Sequence, residues 1–278
     1  MSNIVRIKAA MVLLLLFMVA CGGSSGPPAG LATPTGPTVI ATSPTFPAGQ
    51  VDGGQLFTYQ NAVAFLPAVV GEYKVAIVFL PGLRDPATGN DLDSRALVAG
   101  ASSGACSIWC SASERAQVRS RASKLAGGNV ALIGTTTLVD SPVSYETLLR
   151  TLSEFGAQSQ RPELANIPIF FVGHSMGGCT AYGFSRIHGA RVAGFLTMKG
   201  GCHSPGPAMG AASVPGYFLI GALDEPYRRE NISAVFEAGR AAGAPWTLSI
   251  DPYQHGPMVD FDLMFGWIDG VLAARLPR

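Results

Sequence analysis

A doubly wound α/β domain with a mostly parallel sheet and helices on both faces is the fold class this sequence predicts, and three observations carry it. Short runs that are apolar almost throughout recur along the chain, as in KVAIVFL at 74–80, NVALIGT at 129–135 and IPIFFV at 167–172. Stretches of helical composition separate them. Hydrophobic residues make up 48% of the chain and charged residues 13%, a balance that suits a large buried core and not a disordered or coiled-coil chain. A strand that is apolar on both faces belongs in a parallel sheet covered on both sides. Right-handed crossovers then wind helices over both faces.

Taken in order, the elements begin near Leu56. Strands are expected at Lys74–Leu80, Asn129–Thr135, Ile167–Val172, Val192–Met198, Gly216–Ile220 and Trp246–Ile250. Helices are expected at Ser113–Ala126, Tyr145–Gln158, Met176–His188, Arg228–Ala242 and Val259–Ala274. Between Arg84 and Ser111 the chain reads as long and irregular, and a cap or rim over a cleft is expected there. In an open sheet of this kind the functional groups stand beyond the carboxyl ends of the strands. The search for chemistry therefore starts just after each strand.

The N-terminal fifty residues are set apart from the domain, which is assigned to 51–278. Arg6 and Lys8 precede an apolar run from Ala9 to Ala20, too short for a comfortable membrane span and typical of an export signal over 1–20. The run ends Met18-Val19-Ala20-Cys21-Gly22, which resembles a bacterial lipobox. That resemblance implies lipidation of Cys21 and attachment to the cell envelope membrane through it. Residues 21–50 are rich in Gly, Pro, Ser, Thr and Ala and read as a flexible tether. Without the export segment the formal net charge of +1 becomes about −1, and no Lys/Arg run follows. Nucleic acid is therefore not expected as a partner.

Export gives the cysteines meaning. Cys106, Cys110, Cys179 and Cys202 remain besides Cys21, an even number in an oxidising compartment, so disulfides are expected. Four cysteines allow three pairings. Cys106–Cys110 and Cys179–Cys202 are favoured, the second because both residues fall near the same end of the sheet. Their spacings do not match a zinc site. Asp91 and Asp93 lack the glycine and terminal glutamate of an EF-hand loop. No P-loop or dinucleotide fingerprint is present, so neither metal nor cofactor is expected.

The strand IPIFFV runs directly into Gly173-His174-Ser175-Met176-Gly177-Gly178, which matches G-x-S-x-G. That pattern places a serine in a strained strand-to-helix turn with its Oγ clear of the backbone and a helix N-terminus beneath it. A serine hydroxyl is a weak nucleophile and needs a base. The chain offers four histidines. The turn resembles that of the α/β-hydrolase superfamily, and the resemblance implies the chain order serine, acid, histidine. Against that order His174 is inside the turn, His188 lies in the following helix, and His203 precedes every acid that could complete it. Only His255, after the last strand, remains. Of the acids between Ser175 and His255, Asp224 follows the strand GYFLI at its carboxyl end, with Glu225 adjacent as the reserve. Glu230 and Glu237 read as helix surface, and Asp251 is too near His255 in sequence for the pattern that the resemblance implies.

With this pattern in place the chain resembles the α/β-hydrolase superfamily from about Leu56 to its C-terminus, including the order serine, acid, histidine. The resemblance implies Ser175 as nucleophile, His255 as base and Asp224 as its orienting acid. It implies backbone N–H groups of Met176 and Leu83 as the oxyanion hole, although this chain has Pro81-Gly82 where the family often has His-Gly. Short segments, among them Phe79-Leu80-Pro81-Gly82 and Ile220-Gly221-Ala222-Leu223-Asp224, are similar to bacterial cutinases and polyester hydrolases. Ala64-Phe65-Leu66-Pro67 is similar to feruloyl esterases and polyhydroxyalkanoate depolymerases. All imply cleavage of a carboxylic ester, small or polymeric, by a chain expected to be a monomer. Two alternatives stand beside this: acyl transfer on the same three residues, and a catalytically inactive binding lipoprotein on a hydrolase scaffold. His203 is expected in a loop, and Trp109, Tyr145 and Tyr227 as packing residues.

Overall fold

The structure is a computed structural model, and it describes residues 46–83, 93–101, 109 and 111–276. The export segment, nearly all of the tether, Cys21, Asp91, Cys106, Cys110 and most of the expected cap fall outside these residues.

Among the described residues nine strands form one sheet in the order β1-β2-β3-β5-β4-β6-β7-β8-β9. In chain order they are β1 (Gly49–Val51), β2 (Gly54–Tyr59), β3 (Ala62–Pro67), β4 (Val75–Leu80), β5 (Val130–Thr135), β6 (Ile169–His174), β7 (Val192–Met198), β8 (Gly216–Gly221) and β9 (Trp246–Asp251). From β5 across to β9 every pairing is parallel. The helices are α1 (Arg95–Ala99), α2 (Ala112–Ala122), α3 (Pro142–Ser159), α4 (Met176–His188), α5 (Pro226–Ala241) and α6 (Phe261–Arg275). This is the α/β-hydrolase fold.

The sheet divides the interior into two apolar layers. Residues of α3, α4 and α5, such as Leu152, Phe184 and Ile232, pack on one face. Residues of α1, α2 and α6, such as Leu97, Val118 and Ile268, pack on the other. Alternate residues of β4 feed the two layers: Ala76, Val78 and Leu80 go to the first, Val75, Ile77 and Phe79 to the second. This explains why the central strands read as continuous apolar runs. A buried side chain of this size is worth about 1.5–3 kcal/mol, so a central strand anchors both layers at once.

Two parts of the sheet differ from the expectation. The sequence reading began its strands at Lys74, yet β1, β2 and β3 precede it and pair antiparallel, with β3 joining β5. Asp52-Gly53 joins β1 to β2 with Gly53 at φ +77°, a turn that glycine makes without strain. Within the segment read as irregular, 95–99 is a helix, because Leu97 and Val98 bury into the second layer. Asp93, considered above as a cation ligand and rejected, gives its carboxylate to Arg95, with Oδ2 2.6 Å from Nη2 and both side chains buried.

Helix ends follow local chemistry. α3 starts three residues before the expected Tyr145 because Ser141 caps it through its hydroxyl and Pro142 occupies the first turn. α2 stops at Ala122, four residues early, and the chain then turns through Ala126 and Gly127 at positive φ.

Candidate active site

β6 delivers Ser175 to the carboxyl edge of the sheet, next to β4 and β7. Ser175 has φ +53° and ψ −122°, a backbone conformation that costs a non-glycine residue about 1–3 kcal/mol. The turn is held from several sides. The Ser175 N–H donates to the Met198 carbonyl at 2.8 Å, and the N–H groups of Gly178 and Cys179 donate back to the Ser175 carbonyl at 3.0 and 3.2 Å. Glycines permit the crowding: a Cβ on Gly173 would strike the Gly177 carbonyl, and one on Gly177 would strike the Leu80 carbonyl.

β8 delivers Asp224 through a short turn whose Asp224 N–H donates to the Gly221 carbonyl at 3.1 Å. The carboxylate is buried. Its Oδ1 accepts the Glu225 N–H at 2.8 Å and stands 3.5 Å from Arg228 Nε, just ahead of α5. It thus stands between the N-terminus of α5 and a guanidinium. β9 delivers His255 through the turn Asp251–His255.

These three residues meet in series. His255 Nδ1 lies 2.8 Å from Asp224 Oδ2, and His255 Nε2 lies 2.9 Å from Ser175 Oγ. A carboxylate can only accept, so Nδ1 carries a proton and donates it to Asp224. Nε2 is then the free base, facing the hydroxyl. The imidazole is about one-third exposed while the carboxylate behind it is buried, so the open side of the series is the serine side. Glu225, the reserve acid, is not in the series; it precedes α5 and contributes its N–H to Asp224. Asp251 is 2.9 Å from Lys199 Nζ instead.

The two backbone donors named above sit as follows. Met176 is the first residue of α4, so its N–H has no intrahelical partner. Leu83 ends the described stretch after β4, whose Leu80 is in register with Gly173 of β6. Thr137 ties that loop down through its hydroxyl, which donates to the Gly82 carbonyl at 2.6 Å.

Other residues singled out in the sequence separate into groups. Cys179 on α4 and Cys202 after β7 are joined by a disulfide, with Cα atoms 5.6 Å apart. His203 stands in the loop after β7, as expected, and is buried there: Nε2 is 3.0 Å from Thr197 Oγ1, and its backbone N–H donates to Asn231 Oδ1 at 2.9 Å. Burial pushes its pKa down to about 4. Trp109 and Tyr145 are core residues, and Tyr227 is exposed. Among the described residues no cluster of His, Cys, Asp or Glu is arranged to hold a metal ion.

Sequence reasoning missed one member of this site. His174 was set aside as part of the turn, yet its ring is buried against His255, with centroids 5.0 Å apart. Its position inside the motif was the only signal, and the motif fixes only the serine and the glycines.

No protein-family model matches the chain, and no curated protein matches it. Solved structures do. A ferulic acid esterase is 14% identical with a TM-score of 0.48, over 76% of this chain and 89% of that one. An esterase of Pyrobaculum calidifontis is 12% identical with a TM-score of 0.49, over 84% and 87%. A Xanthomonas campestris protein described as an a/b serine hydrolase without lid is 14% identical with a TM-score of 0.46, over 85% and 97%.

Proposed function

We propose that this chain is a serine hydrolase that cleaves carboxylic esters through an acyl-serine intermediate. The observation that carries the reading is the unbroken series Asp224 Oδ2, His255, Ser175 Oγ, with links of 2.8 and 2.9 Å. Isolated pairs of this kind are common; a strained serine at a helix N-terminus completing the series is not.

In the first half of the reaction His255 Nε2 takes the hydroxyl proton as Ser175 Oγ attacks the ester carbonyl carbon. The carbonyl oxygen becomes an oxyanion, held by the N–H groups of Met176 and Leu83. Asp224 stabilises the imidazolium and keeps its tautomer. Collapse of the tetrahedral species breaks the bond to the alcohol oxygen, which leaves with the proton from Nε2. In the second half a water gives a proton to Nε2 and attacks the acyl-serine; collapse returns the proton to Ser175 and releases the acid.

The reading also carries the N-terminal expectation: Cys21 is lipidated and the domain is held at a membrane of the bacterial envelope. A fatty-acid alkyne fed to expressing cells should label the chain, and Cys21→Ala should abolish the label. Among the described residues no helix is long and apolar enough to cross a membrane.

The activity is tested with p-nitrophenyl esters of rising acyl length and a soluble polyester. Turnover is expected on at least one acyl length, and Ser175→Ala should lower kcat by about 10⁶-fold. Adding a competing alcohol separates hydrolysis from acyl transfer, since a transferase would make the new ester in preference to the acid. A Ser175→Ala variant that keeps full activity would sink the reading.

A further inference from the structure

The turn that carries His255 has no regular structure of its own. After Asp251 at the end of β9, residues 252–254 are exposed and belong to no helix or strand. Proton transfer tolerates a misplacement of only about 0.5 Å, so a free turn of this kind would be a poor mount for a base. Part of the answer lies in the backbone. The Ala222 N–H donates to the Asp251 carbonyl at 2.8 Å and the Leu223 N–H to the Tyr253 carbonyl at 3.1 Å, which stitches the Asp224 turn to the His255 turn. Nothing in that stitch ties the two turns to the serine.

Two side chains supply that tie: His174, whose Nε2 donates to the His255 carbonyl, and Lys199, which meets Asp251 at the start of the turn. Lys199 follows Met198, the residue whose carbonyl holds the Ser175 N–H, and its own N–H extends the ladder to the Leu219 carbonyl at 2.9 Å. It has φ +54°, outside the range an ordinary strand residue adopts, and its side chain is fully buried. The Nζ lies 2.9 Å from Asp251 Oδ2 and 5.9 Å from the centre of the Tyr253 ring. Asp251 uses its other oxygen to accept the Tyr253 N–H at 3.1 Å, so one carboxylate joins the lysine to the first bonds of the turn. The arm of Lys199 runs beside Gly221. A Cβ there would stand 3.1 Å from Lys199 Cε and 2.7 Å from the carbonyl oxygens of Tyr253 and Gln254. Glycine at 221 therefore lets the strand, the lysine and the turn meet.

A buried ion pair is weak as a source of stability, because apolar residues of similar volume fill the same space without desolvating two charges. What the pair does supply is a fixed distance. It spans from the strand end that holds the serine to the turn that holds the imidazole.

We propose that Lys199 is a positioning residue: through Asp251 it sets the His255 turn against the Ser175 turn, so that Nε2 stays within hydrogen-bond reach of Oγ. This rests on the reading of Ser175 and His255 as the reacting pair. Its test is therefore given a readout that needs no substrate.

The variants are Lys199→Met, Asp251→Leu and the double replacement, which removes both charges together and spares either one from being left buried alone. Asp251→Asn, with its volume and its acceptor for the Tyr253 N–H kept, serves if the others do not fold. Sites are counted by fluorophosphonate titration, so kcat refers to folded enzyme. The double variant should keep a cooperative melt and lose about tenfold or more in kcat with KM within about twofold, the signature of lost positioning. The downfield proton resonance of His255 Nδ1–H, sharp in the native protein, should broaden or vanish. A folded double variant, or a folded Asp251→Asn, with native kcat and a native resonance would overturn the proposal. If the native protein cleaves no ester, the hydrolase reading fails by itself. The resonance still decides the positioning role, supporting it when lost in the variant and overturning it when unchanged.

Discussion

His174 Nε2 lies 2.8 Å from the main-chain carbonyl of His255, so the residue before the serine holds the backbone of the residue that faces the serine. A carbonyl can only accept, so Nε2 carries the proton and donates it. The ring is neutral: burial, reinforced by His255 and Lys199 nearby, pushes its pKa down to about 3. Its Nδ1 is buried without a hydrogen-bond partner. The variable position of G-x-S-x-G is thus occupied here by a group that helps seat the proposed base.

His174→Phe keeps an aromatic ring in the cavity and deletes the donor. Losing one hydrogen bond to a buried carbonyl costs about 1–3 kcal/mol. Because that bond holds the turn, kcat on the best p-nitrophenyl ester should fall about tenfold while KM changes little. Steady-state kinetics normalised to titrated sites make the check; an unchanged kcat would remove His174 from the account.

Acid should destabilise the fold through the two buried imidazoles. In the unfolded chain each titrates near the ordinary value of about 6.5; in the folded protein His203 is pushed down to about 4 and His174 to about 3. Between these values the unfolded chain binds more protons, so stability rises with pH there. The contribution is present in full above about pH 6.5 and drains away as pH falls toward 4 and 3. Urea unfolding at pH 7.5 and 5 should differ by a few kcal/mol, the lower pH being weaker. His203→Gln should flatten the slope. Equal midpoints at the two pH values would contradict the burial of neutral rings.

The Cys179–Cys202 bridge closes a loop with a sequence separation of 23 residues. A loop of that length gives about 3 kcal/mol in the chain-entropy model. Replacing both cysteines with alanine should therefore lower Tm by about 10 °C in a domain of this size. Thermal melts of the oxidised protein and the double variant decide it. A shift under about 2 °C would mean that the bridge is not formed in solution.

Gly177→Ala should be far more damaging than its one added carbon suggests. The new Cβ would press on the carbonyl groups of Leu80 and Pro81, which are backbone and cannot rotate away. Overpacking of this kind costs about 1–3 kcal/mol or more. Either β4 or the Ser175 turn must move, so activity and Tm should both fall. Native values for both would show that the close approach is not required.

Much of this was written in the chain, and the omissions have physical causes. The parallel strands were legible because burial on both faces leaves no polar alternation to confuse the pattern. The serine turn was legible because its glycines are required by the approach of β4 and the helix. Asp224 and His255 followed from counting histidines and asking which acid ends a strand. β2 escaped notice because QLFTY mixes buried and half-buried positions, and β3 because AVAFLP, although buried throughout, ends in a proline that argues against a strand; Asp52-Gly53 nevertheless marked the first turn. Lys199 was invisible because it follows the expected strand Val192–Met198 with no motif around it. Nothing in one sequence says that the cation turns inward to meet an aspartate fifty-two residues on. The burial of His203 in its loop was hidden for the same reason: its partners, Thr197 and Asn231, come from β7 and α5.

The most direct measurement is fluorophosphonate labelling at pH 7.5 followed by peptide mapping, since the reagent reacts only with an activated serine. The account requires one adduct per chain, on Ser175, formed rapidly in the native protein and at least a hundredfold more slowly in His255→Ala and Asp224→Asn. An unlabelled native protein, or an adduct on another serine, would leave the three residues as neighbours in a fold with no shared chemistry.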